Sequence, residues 1–339
     1  MQKHTSYLLI LAILLGGLII KGCGQSAPPP PSVPPDFTWT EVTTAAAFSP
    51  RSSHSSVVSD NKMWVIGGAT TGFVRTNEVW SSSDGQTWNL VTAEAAFPSI
   101  YNHASVVFNN KIWMIGGGTH IVTNEVWSSA DGSNWTQATA EAAFPARDGH
   151  TALVFNNEIW VIGGGQPYWA DVWHSSDGVY WTAATTNAAF GQRYDHSSAV
   201  FDNKMWVIGG RGDSTIFDDA WYSSDGSSWA RTGTISALGI LPSSSEASRM
   251  NHTSVVYEIS GNPALLIITG GYNSWNGGNN YFNDLKYSVN GSSWTSAEVT
   301  AAYSPRMEHS SVVFNNKIWV IGGRNGSTYM NDVWSSPLP

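Results

Sequence analysis

The sequence predicts an all-β protein made of six copies of one four-stranded unit. Three observations carry this. A glycine pair recurs at Gly67-Gly68, Gly116-Gly117, Gly163-Gly164, Gly209-Gly210, Gly270-Gly271 and Gly322-Gly323. Each pair ends a short apolar run such as "KIWVIGG", and the same neighbours flank it in the same order. The composition fits short strands and tight turns: 12% charged residues, 33 Gly and 18 Trp in 339 residues.

Each unit reads as strands A to D. Strand A is the "SSVVF"-like run, and Asp60-Asn61, Asn109-Asn110, Asn156-Asn157, Asp202-Asn203 and Asn315-Asn316 turn it into strand B. Asn and Asp tolerate the positive φ of a two-residue hairpin. Strand B is the apolar run before the glycine pair. After a variable loop, strand C is the "NDVWSS"-like run, opened by an acid: Glu78, Glu125, Asp171, Asp219, Asp284 or Asp332. Asp84-Gly85 and its equivalents then turn into strand D, which starts at a Trp, with Asp and Gly both expected at positive φ. Sixteen of the 18 Trp fall at strand B, C or D positions, which assigns them to packing between units.

The two ends complete each other. The sixth unit stops at "NDVWSSPLP" without a D strand, and "DFTWTEVT" near the start is a D strand without a unit. Residues 37–43 therefore join the last unit and close a ring, which leaves no free strand edge.

With RxxH, the apolar strand, the glycine pair, NDVW and the closing Trp quoted, the units resemble kelch repeats over Asp36 to Pro339. The resemblance implies a monomeric six-bladed β-propeller over residues 37–339. This sequence departs from the family pattern at strand C, with Trp where Tyr is common, and in the fifth unit, with a long insertion and Lys286 in place of the strand C Trp. The family includes a copper-radical oxidase that needs a Tyr–Cys crosslink. The sole cysteine here, Cys23, lies in the leader, so that chemistry is excluded. No cofactor or metal is expected.

Residues 1–22 read as a signal peptide. Lys3 precedes the apolar run Tyr7 to Ile20, which is too short for an ordinary spanning helix. "IIKGC" resembles a bacterial lipobox, making Cys23 a lipidated mature N-terminus. Lys21 departs from that pattern, and an uncleaved anchor or an ordinary signal stays open. Residues 23–36 are a Pro-rich spacer. The expected place is the bacterial cell envelope, with the membrane reached through the lipidated N-terminus. A net charge of −9 argues against nucleic acid.

In such units the A–B and C–D turns share one face, and the D–A and B–C loops share the other. The first face holds near-identical hairpins. The second holds the variable loops, where binding is expected. That face also carries Arg51, Arg147, Arg193, Arg249 and Arg306, each three residues before a His, with Ile100 replacing the sixth Arg. Two readings stand for these arginines: pairing with the strand C acids, or a channel-mouth ring gripping an anion. Beyond the repeat, Tyr168, Trp169, Arg211, Asp213, Phe217, Trp275, Tyr281 and Phe282 make blades three to five the expected ligand-binding sector. Aromatic and amide side chains suit a protein or carbohydrate partner. The alternative is an enzyme on an anionic sugar, as in the family's sialic-acid mutarotases, with no catalytic residue assignable.

Overall fold

The computed structural model describes residues 37–165, 167–235, 248–258, 264–274, 278–297 and 301–337. The leader, Cys23, the Pro-rich spacer, Trp275 and residues 236–247 of the long insertion lie outside the described residues.

The described chain forms six four-stranded antiparallel sheets and one small three-stranded sheet. The first blade runs Ser55–Ser59, Lys62–Ile66, Val79–Ser82, Asn89–Thr92. The sixth runs Ser310–Phe314, Lys317–Asn325, Thr328–Pro337, and its fourth strand is Thr40–Thr43 from the opposite end of the chain. Thr40 pairs with Ser335 and Glu41 with Trp334. The six A strands touch in a cycle, the last against the first. The molecule is a β-propeller built on a central channel.

Burial follows from strand position. Strand B is covered by its sheet neighbours and by both adjacent blades, so "MWVI", Met63 to Ile66, is buried throughout. Strand A packs on both sides: Val106 and Phe108 are buried in one core cluster and the half-buried Val107 packs against the next, while Ser105 faces the channel. The closing strand D Trp packs edge-on against a Phe from the preceding blade, as Phe97 does on Trp135 at 4.9 Å and 88°. At the closure Tyr303 meets Trp39 in the same way, at 4.9 Å and 89°.

The A–B turns have the expected backbone: Asp60 and Asn61 have φ of 49° and 55°. The C–D turns do not. Gly85 has φ 76°, but Asp84 is not in the left-handed region. Asp84 works through its carboxylate instead, which accepts from the Gln86 and Thr87 amides at 2.9 and 2.8 Å, led by the Thr87 bond in holding its pKa down. Only the glycine needs the unusual φ; the aspartate caps the bend.

Candidate functional site

The loop face is built on the arginines, and they are spoken for. All five are fully buried. Arg147 donates to both carboxylate oxygens of Asp171 at 2.7 and 2.8 Å, and to the Gly163 carbonyl at 2.8 Å. Arg193, Arg249 and Arg306 repeat this with Asp219, Asp284 and Asp332, and Arg51 reaches Glu78 at 2.5 Å. Strand C indoles hold four of these acids, as Trp80 does Glu78 at 2.9 Å, while Asp284 has Lys286 where the indole would be. Burial alone would raise the Glu78 pKa; the Trp80 and Arg51 hydrogen bonds and the Arg51 charge outweigh it and leave it lowered. The anion ring is therefore corrected: each fully buried guanidinium already has a carboxylate for its charge, and the Nε atoms of Arg193 and Arg249, which make no hydrogen bond among the described residues, are themselves buried out of an anion's reach. Among the described residues, Glu125, opposite Ile100, keeps only its Trp127 indole bond and has no cation partner.

Three of the expected ligand aromatics belong to the same scaffold. Arg147 lies 5.8 Å from the Trp169 ring centre, Arg193 4.1 Å from that of Phe217, and Arg249 4.7 Å from that of Phe282. These rings cap the buried cations and are not a free platform. Each stands two residues before its strand C acid, a regularity available in the sequence. Of the rest, Tyr168 stacks on Tyr194 at 5.0 Å and 9°, and Tyr281 packs on Tyr272 at 5.2 Å. Arg211 pairs through its backbone with Tyr194, and Asp213 is exposed at the loop tip. The described ones among the expected residues thus sit in blades three to five, each held in its own local packing.

What does converge is the channel mouth. The residue before each RxxH histidine is in the left-handed region: Ser53, Asn102, Gly149, Asp195, Asn251 and Glu308, with φ from 51° to 58°. Each donates its backbone N–H to the carbonyl of the previous one, at 2.7 to 3.1 Å, and Ser53 closes the cycle onto Glu308. This hydrogen-bonded ring and the six histidines below it line a cavity of about 170 Å³. Sequence reading missed the ring because a backbone requirement selected it, and five different residue types meet that requirement.

The ring's two acids are treated differently. Glu308 pairs with Arg324 through two contacts of 2.6 Å and also accepts from Ser52 and Ser53. Asp195 accepts from Asn251 Nδ2 at 3.1 Å, and no ion pair among the described residues reaches it. Burial, then the charges of Glu308 and Asp148, push its pKa up to about 8. The six histidines are held neutral by burial, with His103, His196 and His309 pushed down to about 3.

A second feature lies beside the mouth. Phe73, Val74 and Ile121, on the B–C loops of blades one and two, are 43%, 62% and 76% exposed. Phe73 takes φ 62° in the hairpin between Ala69–Thr70 and Val74–Arg75. Its ring meets Tyr101 at 4.9 Å, with Arg75 5.4 Å from both ring centres.

The KLHDC2/KLHL20/DRC7 Kelch-repeats domain model matches residues 34–164 and 102–244, and the Kelch motif model matches residues 305–335. The chain belongs to the kelch-repeat family. No curated protein matches it. In this kelch propeller the Arg, the first glycine and the strand C acid form one buried unit per blade, broken only in blade two. The repeated Arg, glycine and acid are thus the scaffold of the loop face, beside which lie the mouth ring and the exposed apolar loops.

Proposed function

We propose that the chain is a protein-binding propeller that receives its partner on the loop face, over blades one and two and the channel mouth. Kelch repeats build protein-interaction propellers. The observation that carries the reading is the exposed trio Phe73, Val74 and Ile121 beside a polar mouth. Large apolar side chains left in water around a polar depression are the make-up of an interface core and rim. The anionic-sugar reading loses the arginines it rested on, and the carbohydrate reading loses Trp169, Phe217 and Phe282 as stacking surfaces.

The N-terminal residues add the setting. A signal peptide, lipidation at Cys23 and a stiff Pro-rich spacer would hold the propeller off an envelope membrane, free to meet a partner. Fatty-acid labelling that Cys23→Ser abolishes tests this setting.

Photo-crosslinking in the native cell tests the docking face. A crosslinker at Phe73 captures a defined partner that one at Tyr180, exposed on the opposite face, does not. Equal capture from both positions overturns the reading.

A further inference from the structure

One sector of the channel mouth breaks the repeat twice, on adjacent levels. Between blades, the histidine Nε2 meets the hydroxyl that follows the previous blade's histidine. Ser55 meets His103 at 2.8 Å, and Ser197 meets His252 at 2.8 Å. The pattern holds at five of the six boundaries. At the sixth the hydroxyl is missing, because Ala104 occupies its place. Among the described residues His150 Nε2 meets no hydroxyl and makes no hydrogen bond, with the Ile115 backbone close to the ring, although only 5% of His150 is exposed. One level up, the same blade supplies Gly149, the only ring residue without a side chain. Asp195 Oδ1 leans into that gap: a Cβ on Gly149 would lie 2.7 Å from it. Asn251 holds Oδ2, and no hydrogen bond is made to Oδ1. Both His150 and Asp195 line the mouth cavity.

The gap also lacks a charge. In blade six, Arg324 follows the glycine pair and neutralises Glu308. Its counterpart in blade four, Arg211, makes no ion pair with Asp195. The notch thus offers an unpaired carboxyl oxygen and a buried imidazole nitrogen; burial keeps Asp195 protonated at neutral pH, so a cation that enters must displace that proton, and no cation among the described residues forms an ion pair with it. Asp148 and Glu308 make the surroundings unfavourable for an anion.

We propose that this notch binds a primary ammonium group, the end of a lysine side chain presented by the protein partner. The inference rests on the docking reading above. An ammonium is a compact point charge with three donors, and Asp195 and His150 both line the cavity that it would enter. A cavity of about 170 Å³ takes the tip of such a side chain. Neutral His150 accepts at Nε2 when its proton is on Nδ1. A water could fill the gap but would leave Asp195 protonated, whereas an ammonium supplies the charge that its ionised form needs.

The test uses the whole protein with ¹⁵N-histidine and two probes, Nα-acetyl-lysine methylamide and its norleucine counterpart, which lacks the ammonium. The lysine probe shifts the His150 Nε2 resonance and the norleucine probe does not. Asp195→Asn weakens the lysine response about tenfold or more, the scale of a charge-assisted hydrogen bond. Ala104→Ser gives His150 the repeat's own hydroxyl; the variant folds, and it weakens the response as well. The proposal falls if the lysine probe produces no shift, if norleucine matches it, or if both variants respond as the wild type does. Capture at Phe73 without a lysine response overturns the notch alone. A lysine response without capture at Phe73 overturns the docking face alone.

Discussion

Gly85 lies directly against the indole of Trp319, across the boundary between the first and last blades. A Cβ at Gly85 would stand 2.0 Å from Trp319 Cζ3. The contact repeats as Gly132–Trp64, Gly178–Trp113, Gly226–Trp160 and Gly291–Trp206. At the remaining boundary the chain ends interrupt the C–D turn, and the strand B position facing it is Ile267, not Trp. Phe37 packs into the same cluster there, 6.1 Å from Tyr287. The Asp-Gly turn is thus half of a contact between blades, and the Trp is present where its glycine is.

Gly85→Ala should therefore destabilise the propeller by about 2–4 kcal/mol, from the left-handed backbone and the collision with Trp319 together. Gly191→Ala is the control. Gly191 has φ 77° but nothing within 4 Å of an added Cβ, so only the backbone strain of about 1–2 kcal/mol applies. Denaturant unfolding of the two variants measures the difference. Equal losses would show that the indole contact contributes nothing.

The broken arginine ring gives an internal comparison. Asp171 is 5% exposed and faces a fully buried Arg147, so Asp171→Ala leaves an unpaired buried cation. The expected loss is about 3–5 kcal/mol. Glu125 has no cation partner, and Glu125→Ala gives up one indole hydrogen bond, about 1 kcal/mol. Thermal unfolding of the pair checks this. A Glu125 loss as large as that of Asp171 would mean that the carboxylates act independently of arginine.

The scaffold was legible because its residues repeat by type. Asn-Asn marks the A–B turns, Gly-Gly the end of strand B, and an Arg and an acid at fixed spacing meet as a pair. The pairing of residues 37–43 with the last blade could be read from two incomplete units. The mouth was illegible for the opposite reason. Ser53, Asn102, Asp195, Asn251 and Glu308 share a backbone conformation and no side-chain chemistry. Trp169, Phe217 and Phe282 were misread because they were judged by residue type against a repeat that has Thr or Met at that position in the other blades. Their distance from the strand C acid assigns them to the buried arginines.

The histidine ring makes acid a denaturant of this fold. Burial holds all six rings well below the ordinary histidine pKa of about 6.5. Between that value and about 3 the unfolded chain binds protons that the native ring refuses, so stability falls as pH falls through this window. Unfolding at pH 5 should take up close to one proton per ring histidine. Calorimetry in buffers of different ionisation enthalpy counts them. His196→Gln should remove about one, and an unchanged count would show that His196 is protonated in the folded state.

Asp195 acts in the opposite direction. Its native pKa is pushed up to about 8 by burial and by the Glu308 and Asp148 charges, with Arg211 and Asn251 opposing. The unfolded value is about 3.9. Between the two, the native state keeps a proton that the unfolded chain has released, so this residue's contribution to stability declines as pH rises from about 4 to 8. Asp195→Asn keeps an oxygen for Asn251 and does not titrate. The variant should gain stability relative to the wild type on going from pH 5 to pH 8, read as a rising difference in Tm. Lysine probe bound in the notch should shrink that difference at pH 8, because it supplies the charge that ionised Asp195 lacks. A Tm difference independent of pH would place the Asp195 pKa near its unfolded value and remove the electrostatic distinction between it and Glu308.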